Sequence, residues 1–88
     1  PDYTTEEKQV IFKNFCMPKV LKRMGMRNEE CIVTPEAVAA VVDKFSNTTG
    51  IRDLEQAAEH IAANTLYQIE VDKVESVTVT KEMVDGLF

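Results

Sequence analysis

Residues that mark several common protein classes are scarce in this chain of 88 residues. It contains no tryptophan, one histidine, two cysteines and two serines. Cys16 and Cys31 do not form a CxxC motif and His60 stands alone, so we expect reduced core thiols in an intracellular protein and no metal site. No apolar run approaches the roughly 18 residues of a membrane helix, and no signal peptide is visible. The expectation is one small domain without a membrane span.

Sequence motifs for catalysis are also missing. The chain has no GxxxxGK[ST] loop to hold phosphates, and no GxSxG, HExxH or EF-hand pattern. Neither of its serines, Ser46 and Ser76, has a base partner by motif. We therefore expect no catalytic activity from this segment alone.

The charges that are present divide the chain into a basic and an acidic part. The net charge of −5 argues against non-specific nucleic-acid binding by the whole domain. Residues 8–27 nevertheless carry six basic residues and no acid, whereas the chain from position 28 onward has twelve acids and four bases. Two solvated faces of opposite sign explain this pattern, and a basic surface that meets an acidic neighbour or phosphates is the alternative.

Apolar spacing predicts two helices in the N-terminal third of the chain. The first presents Ile11 and Phe15 on one face and ends near Cys16. Pro18 then excludes an unbroken helix, because proline lacks the amide hydrogen and pushes the preceding residue, Met17, out of helical geometry. A second short helix follows from Pro18 and ends at Gly25, which suits a left-handed C-terminal residue.

The rest of the chain predicts two short strands, each followed by a helix that a threonine caps. The strands are residues 31–33 and 77–79, and the pattern V-T-x-E-x-V recurs at both, with Thr34 and Thr80 as caps. A strand of three residues cannot stand alone, so we expect the two to pair in parallel with helices as the crossover. The predicted fold class is mainly α, a bundle of four to five helices with a minimal two-stranded parallel sheet.

An arginine stands at the start of the longest predicted helix, which we expect at residues 52–69 before a charged turn at 72–75. Gly50 ends the preceding pattern and Arg52 follows in the first turn, where a cation is locally unfavourable. Such a residue either pairs with a nearby carboxylate or faces an external anion such as a nucleotide phosphate. One side of this helix, which we expect to face the core, carries Leu54, Ala58, Ile61, Thr65 and Ile69. The outward side is predicted to carry Asp53, Glu55, Glu59, His60 and Gln68.

Several segments in order resemble the Lon-type ATP-dependent proteases. Residues 7–25 are similar to the family's EK…I…PK.L…G pattern, and residues 49–55 resemble its GVRxLE segment with isoleucine in place of valine. Residues 77–80 match its VTVT-like strand, and Tyr3 occupies the place of a family tyrosine before the first helix. The first pattern rests on Glu7, Lys8, Ile11, Pro18, Lys19, Leu21 and Gly25.

The resemblance implies that the whole chain, residues 1–88, is the small helical lid subdomain of an AAA+ ATPase module, a fragment of a larger chain. Arg52 would be the sensor-2 residue that reaches the phosphates of ATP bound on the large subdomain. Gly50 would supply the turn that aims it. The adenine would be flanked by Tyr3, Ile11 and Phe15, although a plain core role fits the last two equally well.

The resemblance also implies a cofactor and partners. ATP would be the nucleotide, with Mg held by the large subdomain and nothing bound by this segment alone. The partners would be the large subdomain and the serine protease domain of the same chain, the neighbouring subunits of a homo-hexameric ring, and misfolded protein substrates. The parent would be an intracellular protease of protein quality control, in the mitochondrial matrix or the bacterial cytoplasm.

Two other functions remain open from the sequence. A histone-fold interaction module shares the order helix, strand, helix, although Gly50 interrupts the long central helix that it needs. A basic-patch nucleic-acid module would use Lys13, Lys19, Lys22, Arg23 and Arg27. The chain also departs from the Lon pattern, since Asp2 replaces a usual glycine and residues 56–60 lack the usual basic side chains.

Overall fold

The computed structural model of the protein describes residues 3–45 and 51–88. The described elements include five α-helices and two strands, so the predicted fold class is confirmed. No helix in this part of the chain is both long and apolar enough to cross a bilayer. In chain order the elements are α1 (Thr5–Ile11), a π-helical segment (Phe12–Cys16), α2 (Met17–Arg23), a 3₁₀ turn (Asn28–Glu30), β1 (Cys31–Val33), α3 (Pro35–Lys44), α4 (Arg52–Asp72), β2 (Val77–Val79) and α5 (Lys81–Leu87).

The two strands pair in parallel, as the sequence predicts. Cys31 lies opposite Val77 and Val33 lies opposite Val79, so the pairing spans the full length of both strands. A parallel pair needs a long crossover connection, which α3 and α4 provide. Both predicted caps are also confirmed, because the hydroxyl of Thr34 accepts the Ala37 amide at 3.1 Å and that of Thr80 accepts the Met83 amide at 3.3 Å.

Residues 5–23 form one continuous helix, contrary to the predicted break at Pro18. Met17 keeps helical torsion angles of φ −64° and ψ −50°, so the prediction that it leaves helical geometry is wrong. The Met17 amide donates instead to the carbonyl of Phe12, five residues earlier, in a π-helical turn. This turn is wider than an α-helical turn, which relieves the clash between a proline ring and the preceding turn.

The side chains of this helix that face the core differ from those predicted from the sequence. Phe12 is fully buried and Cys16 is 2% exposed, whereas Phe15 is 64% exposed. The predicted face of Ile11 and Phe15 is therefore wrong, although Ile11 packs partly against the core. The difference is one of phase, because Phe12 and Cys16 have the same four-residue spacing as Ile11 and Phe15, and packing buries the first pair.

The long helix α4 carries the predicted core face. Leu54, Ala58, Ile61 and Thr65 are almost fully buried, and Ile69 packs partly against the core. The helix runs three residues beyond the predicted end and stops where Lys73 adopts a left-handed conformation with φ 60°. Of the turn predicted at residues 72–75, Asp72 therefore belongs to the helix and the other three residues follow it. Gly25 does take the left-handed conformation predicted for it, with φ 75°.

Alanine substitutions at the two phenylalanines of the π-helical segment test the corrected helix phase. We expect Phe12→Ala to lower the free energy of unfolding by about 3–5 kcal/mol, because it leaves a cavity in the core. The matched Phe15→Ala should change it by less than about 0.5 kcal/mol, because this side chain is already in water. Urea denaturation of both variants measures the difference, and equal effects would contradict the assignment.

Candidate functional site

The first turn of α4 presents an exposed cation. Arg52 is the first residue of the helix and its side chain is exposed. The threonines before α1, α3 and α5 cap those helices with their hydroxyls, whereas Ile51 before α4 supplies no side-chain cap. Within residues 3–45 and 51–88 the guanidinium of Arg52 has no ion-pair partner. Helix-start amides beside a cation form an arrangement that suits an external anion.

An open concavity of about 320 Å³ lies at the N-terminal end of α1. Two of the predicted adenine contacts, Tyr3 and Ile11, both line it. Tyr3 is 43% exposed, so its ring is available to a ligand as well as to the protein. A concavity with aliphatic walls and one aromatic ring can take a flat heterocycle. The remaining lining residues are Glu6, Glu7 and Val10.

Reciprocal hydrogen bonds fix the chain beside this concavity. The amide of Thr4 donates to Oε1 of Glu7 at 2.8 Å, and the amide of Glu7 donates to Oγ1 of Thr4 at 3.1 Å. This capping box sets the direction in which the chain enters α1 and so places Tyr3 at the rim. The side chain of Glu7 is therefore engaged at the helix start.

The third predicted adenine contact does not join this concavity. Phe15 lies further along the same helix and is not among the lining residues. Gly50 lies outside the described residues, so the turn predicted for it stays a prediction. Val10 lines the concavity but was not selected from the sequence. No signal in the sequence could have found it, because Val10 is placed off the buried side of α1 by the burial of Lys8, which only the structure shows.

Two ion pairs join α2 to α4. Nζ of Lys19 lies 2.9 Å from Oε2 of Glu55, and one helical turn further Nη2 of Arg23 lies 3.3 Å from Oε1 of Glu59. Glu59 is exposed, as predicted, and Glu55 is half-buried at the edge of the contact between the two helices. The hydrogen bond from Lys19, and then its charge, lower the pKa of the Glu55 carboxyl, and the charge of Arg23 acts in the same direction.

The basic segment, residues 8–27, is less available to nucleic acid than its sequence indicates. Three of the five cations that the nucleic-acid alternative requires are in ion pairs, because Arg27 also pairs with Glu30 at 3.7 Å. A fourth basic side chain of the segment, Lys8, is only 5% exposed. The paired carboxylates reduce the positive potential on which non-specific phosphate binding depends.

The remaining chemically active side chains serve the interior or the surface. Cys16 and Cys31 are both free and buried, as predicted. Burial raises the pKa of the Cys16 thiol to about 11, and also raises the pKa of Cys31, whose sulfur lies 3.4 Å from Oγ1 of Thr65. His60 is exposed, and its ring packs edge-on against the ring of Phe88 with the two ring centroids 5.2 Å apart. The part of the chain that the structure describes contains no group of three or more residues placed to hold a metal ion.

Comparison with known proteins extends this description. No family model matches the chain. It is 32% identical over 85 residues to the Lon protease of Karelsulcia muelleri, which covers 85% of this chain and 10% of that protein. It is 31% identical over 80 residues to the Lon protease of Desulforamulus reducens, covering 91% and 10% of the two chains. It is 26% identical over 86 residues to Lon protease 1 of Syntrophotalea carbinolica, covering 98% and 11%.

The fold and the site define a small helical domain that presents an exposed arginine at the start of α4 and an open concavity beside α1. The comparisons add that the chain is homologous, over most of its length, to a segment of the Lon proteases. The resemblance that the sequence motifs indicated is confirmed. The chain spans about a tenth of the length of these relatives.

The ion pair between Lys19 and Glu55 should make the stability of the fold depend on pH. The pKa of its carboxyl is lowered in the folded chain from an ordinary value of 4.5, so the pair stabilises the fold at neutral pH, and this contribution is lost as the pH falls through the lowered value. We expect Lys19→Met to raise the pKa of Glu55 towards the ordinary value. An NMR titration of the side-chain carboxyl measures it. The control Lys22→Met, one turn along α2, should leave that titration unchanged, and an unchanged titration in Lys19→Met would contradict the assignment.

Proposed function

We propose that residues 1–88 form the small helical lid subdomain of the AAA+ module in a Lon-type ATP-dependent serine protease. In this proposal Arg52 is the sensor-2 arginine, which contacts the phosphates of ATP held on the large subdomain of the same chain. The main support is that Arg52 is exposed at the start of α4 and pairs with no carboxylate in the described chain. Homology to a segment of Lon proteases supplies the context.

The chemistry of arginine suits this role. A guanidinium keeps its charge at any physiological pH and offers forked donors that match the oxygens of a phosphate. It projects from the first turn of α4, so its position is that of a rigid helix and not of a loop. When hydrolysis changes the phosphate that Arg52 contacts, the contact changes, and the orientation of the subdomain follows the state of the nucleotide.

The concavity at α1 supplies the second proposed contact. Tyr3 and Ile11 line it together, and we assign them to the adenine. Phe15 has no support from this concavity, since it lies outside the lining and is largely exposed. Gly50 retains its proposed role in the turn before Arg52. Binding at a subdomain edge would leave one side of the nucleotide to the large subdomain, which fits an open concavity better than a closed pocket.

The remaining parts of the proposal concern the parent protein. Its large subdomain would bind ATP and Mg, and its Ser–Lys protease domain would cleave misfolded proteins. The subunits would assemble as a homo-hexameric ring, in the bacterial cytoplasm or the mitochondrial matrix. The role of this segment is to couple the nucleotide state to subdomain motion, and the segment alone is not expected to be catalytic.

Replacing the exposed arginine tests the proposal. In the full-length parent protein we expect Arg52→Ala to lower ATP hydrolysis and ATP-driven degradation of an unfolded protein by about ten- to a hundredfold. This is the effect of losing one charge-assisted hydrogen bond to a phosphate. The folding of the domain should change little, because the side chain is exposed and has no carboxylate partner among the described residues.

A second exposed arginine provides the control. Among the described residues Arg27 pairs locally, with Glu30 three residues away, so Arg27→Ala should keep both rates near those of the wild type. The measurement is the steady-state rate of ATP hydrolysis and of protein degradation for the wild type, Arg52→Ala and Arg27→Ala. Wild-type rates in the Arg52→Ala protein would refute the proposed function.

A further inference from the structure

Arg52 has a potential competitor for its charge on its own helix. Glu55 lies three residues further along α4, a spacing at which an arginine and a carboxylate pair on a helix surface. The other position within reach, residue 56, is a glutamine, and Asp53 is adjacent and so does not face Arg52. An Arg52–Glu55 pair would occupy the guanidinium that the proposed function assigns to a phosphate.

The structure shows Glu55 paired elsewhere. Its Oε2 lies 2.9 Å from Nζ of Lys19 on α2, and Lys19 donates a hydrogen bond to it. No ion pair joins Glu55 to Arg52 in the described part of the chain. The amide of Glu55 donates to the carbonyl of Ile51 at 3.0 Å, so Glu55 belongs to the same first helical turn that carries Arg52.

We propose that Lys19 is a positioning residue that holds the Glu55 carboxylate away from Arg52 and so keeps the guanidinium available for the phosphate of ATP. This inference rests on the proposed function and adds a residue to it. Lys19 itself does not touch the nucleotide. It acts across the contact between α2 and α4, through a carboxylate that would otherwise pair with the arginine.

The fold provides a backbone that can hold Lys19 in this place. Its neighbours along α2, Met17, Val20 and Leu21, are buried in the core, so the start of the lysine side chain is fixed relative to α4. Glu55 is the less exposed partner, with 29% of its side chain exposed against 62% for Lys19. The carboxylate therefore sits at the edge of the helix contact, on the side of α4 that faces α2.

The neighbouring ion pair has the same chemistry without the same consequence. Arg23 and Glu59 join the same two helices at 3.3 Å. Glu59 lies seven residues beyond Arg52, roughly 10 Å along the helix axis, which is too far for it to compete for the arginine. Losing this pair removes a similar link between α2 and α4 but releases no carboxylate beside Arg52.

The KM for ATP of the full-length parent protein tests the inference. We expect Lys19→Gln to raise the KM about two- to fivefold, which corresponds to the strength of an exposed ion pair that now competes with the phosphate. The double variant Lys19→Gln, Glu55→Gln should return the KM to near the wild-type value, because the competing carboxylate is gone. A merely structural link between the helices would leave the double variant as impaired as the single one.

Arg23→Gln is the matched control, and it should lower the Tm by a similar amount to Lys19→Gln while leaving the KM for ATP unchanged. A wild-type KM in Lys19→Gln, or a double variant that does not recover, overturns this inference. The Arg52→Ala variant distinguishes failure of the Lys19 inference from failure of the proposed function. If Arg52→Ala is impaired while Lys19→Gln is not, only the role of Lys19 fails, whereas wild-type rates in Arg52→Ala overturn the proposed function itself.

Discussion

The contact between α2 and α4 is the constraint on which the arrangement of the candidate site depends. The two helices are in contact, and the core that they share includes the buried side chains of Leu21, Ala57, Ala58 and Ile61. Because residues 5–23 form one helix, this contact also fixes α1 relative to α4. The concavity at Tyr3 and the exposed arginine are thus held by one rigid pair of helices, with ion pairs at its edge.

The two short strands close the fold at a second point. β1 precedes α3 and β2 precedes α5, so their parallel pairing brings together two strand–threonine–helix units that are distant in the chain. Capping by Thr34 and Thr80 starts each helix directly after its strand. The side chains of Cys31 and Val79 are buried beneath the sheet, and this burial stabilises a pairing that three residues alone could not maintain.

Local signals were sufficient wherever a residue type permits few conformations. Threonine caps, Gly25 in a left-handed conformation and the buried stripe of α4 were all predicted correctly. Pro18 is the instructive exception, since the expected break became a π-helical turn. A proline forbids one hydrogen bond, but it does not decide whether the chain ends the helix or shifts its register, and burying Phe12 and Cys16 favours the shifted helix.

The sequence by itself determined the fold class, the strand pairing, the starts of α3, α4 and α5 and the family, because caps, apolar periodicity and motif order are encoded within a few neighbouring residues. It also placed an arginine at a helix start, where a cation is locally unfavourable. Only the tertiary structure decided which carboxylates face α2 and that Lys19 forms an ion pair with Glu55. It also decided that Tyr3 and Ile11 line one concavity, from which Phe15 is absent. These outcomes depend on distances between side chains that packing brings together, and no spacing along the chain specifies them.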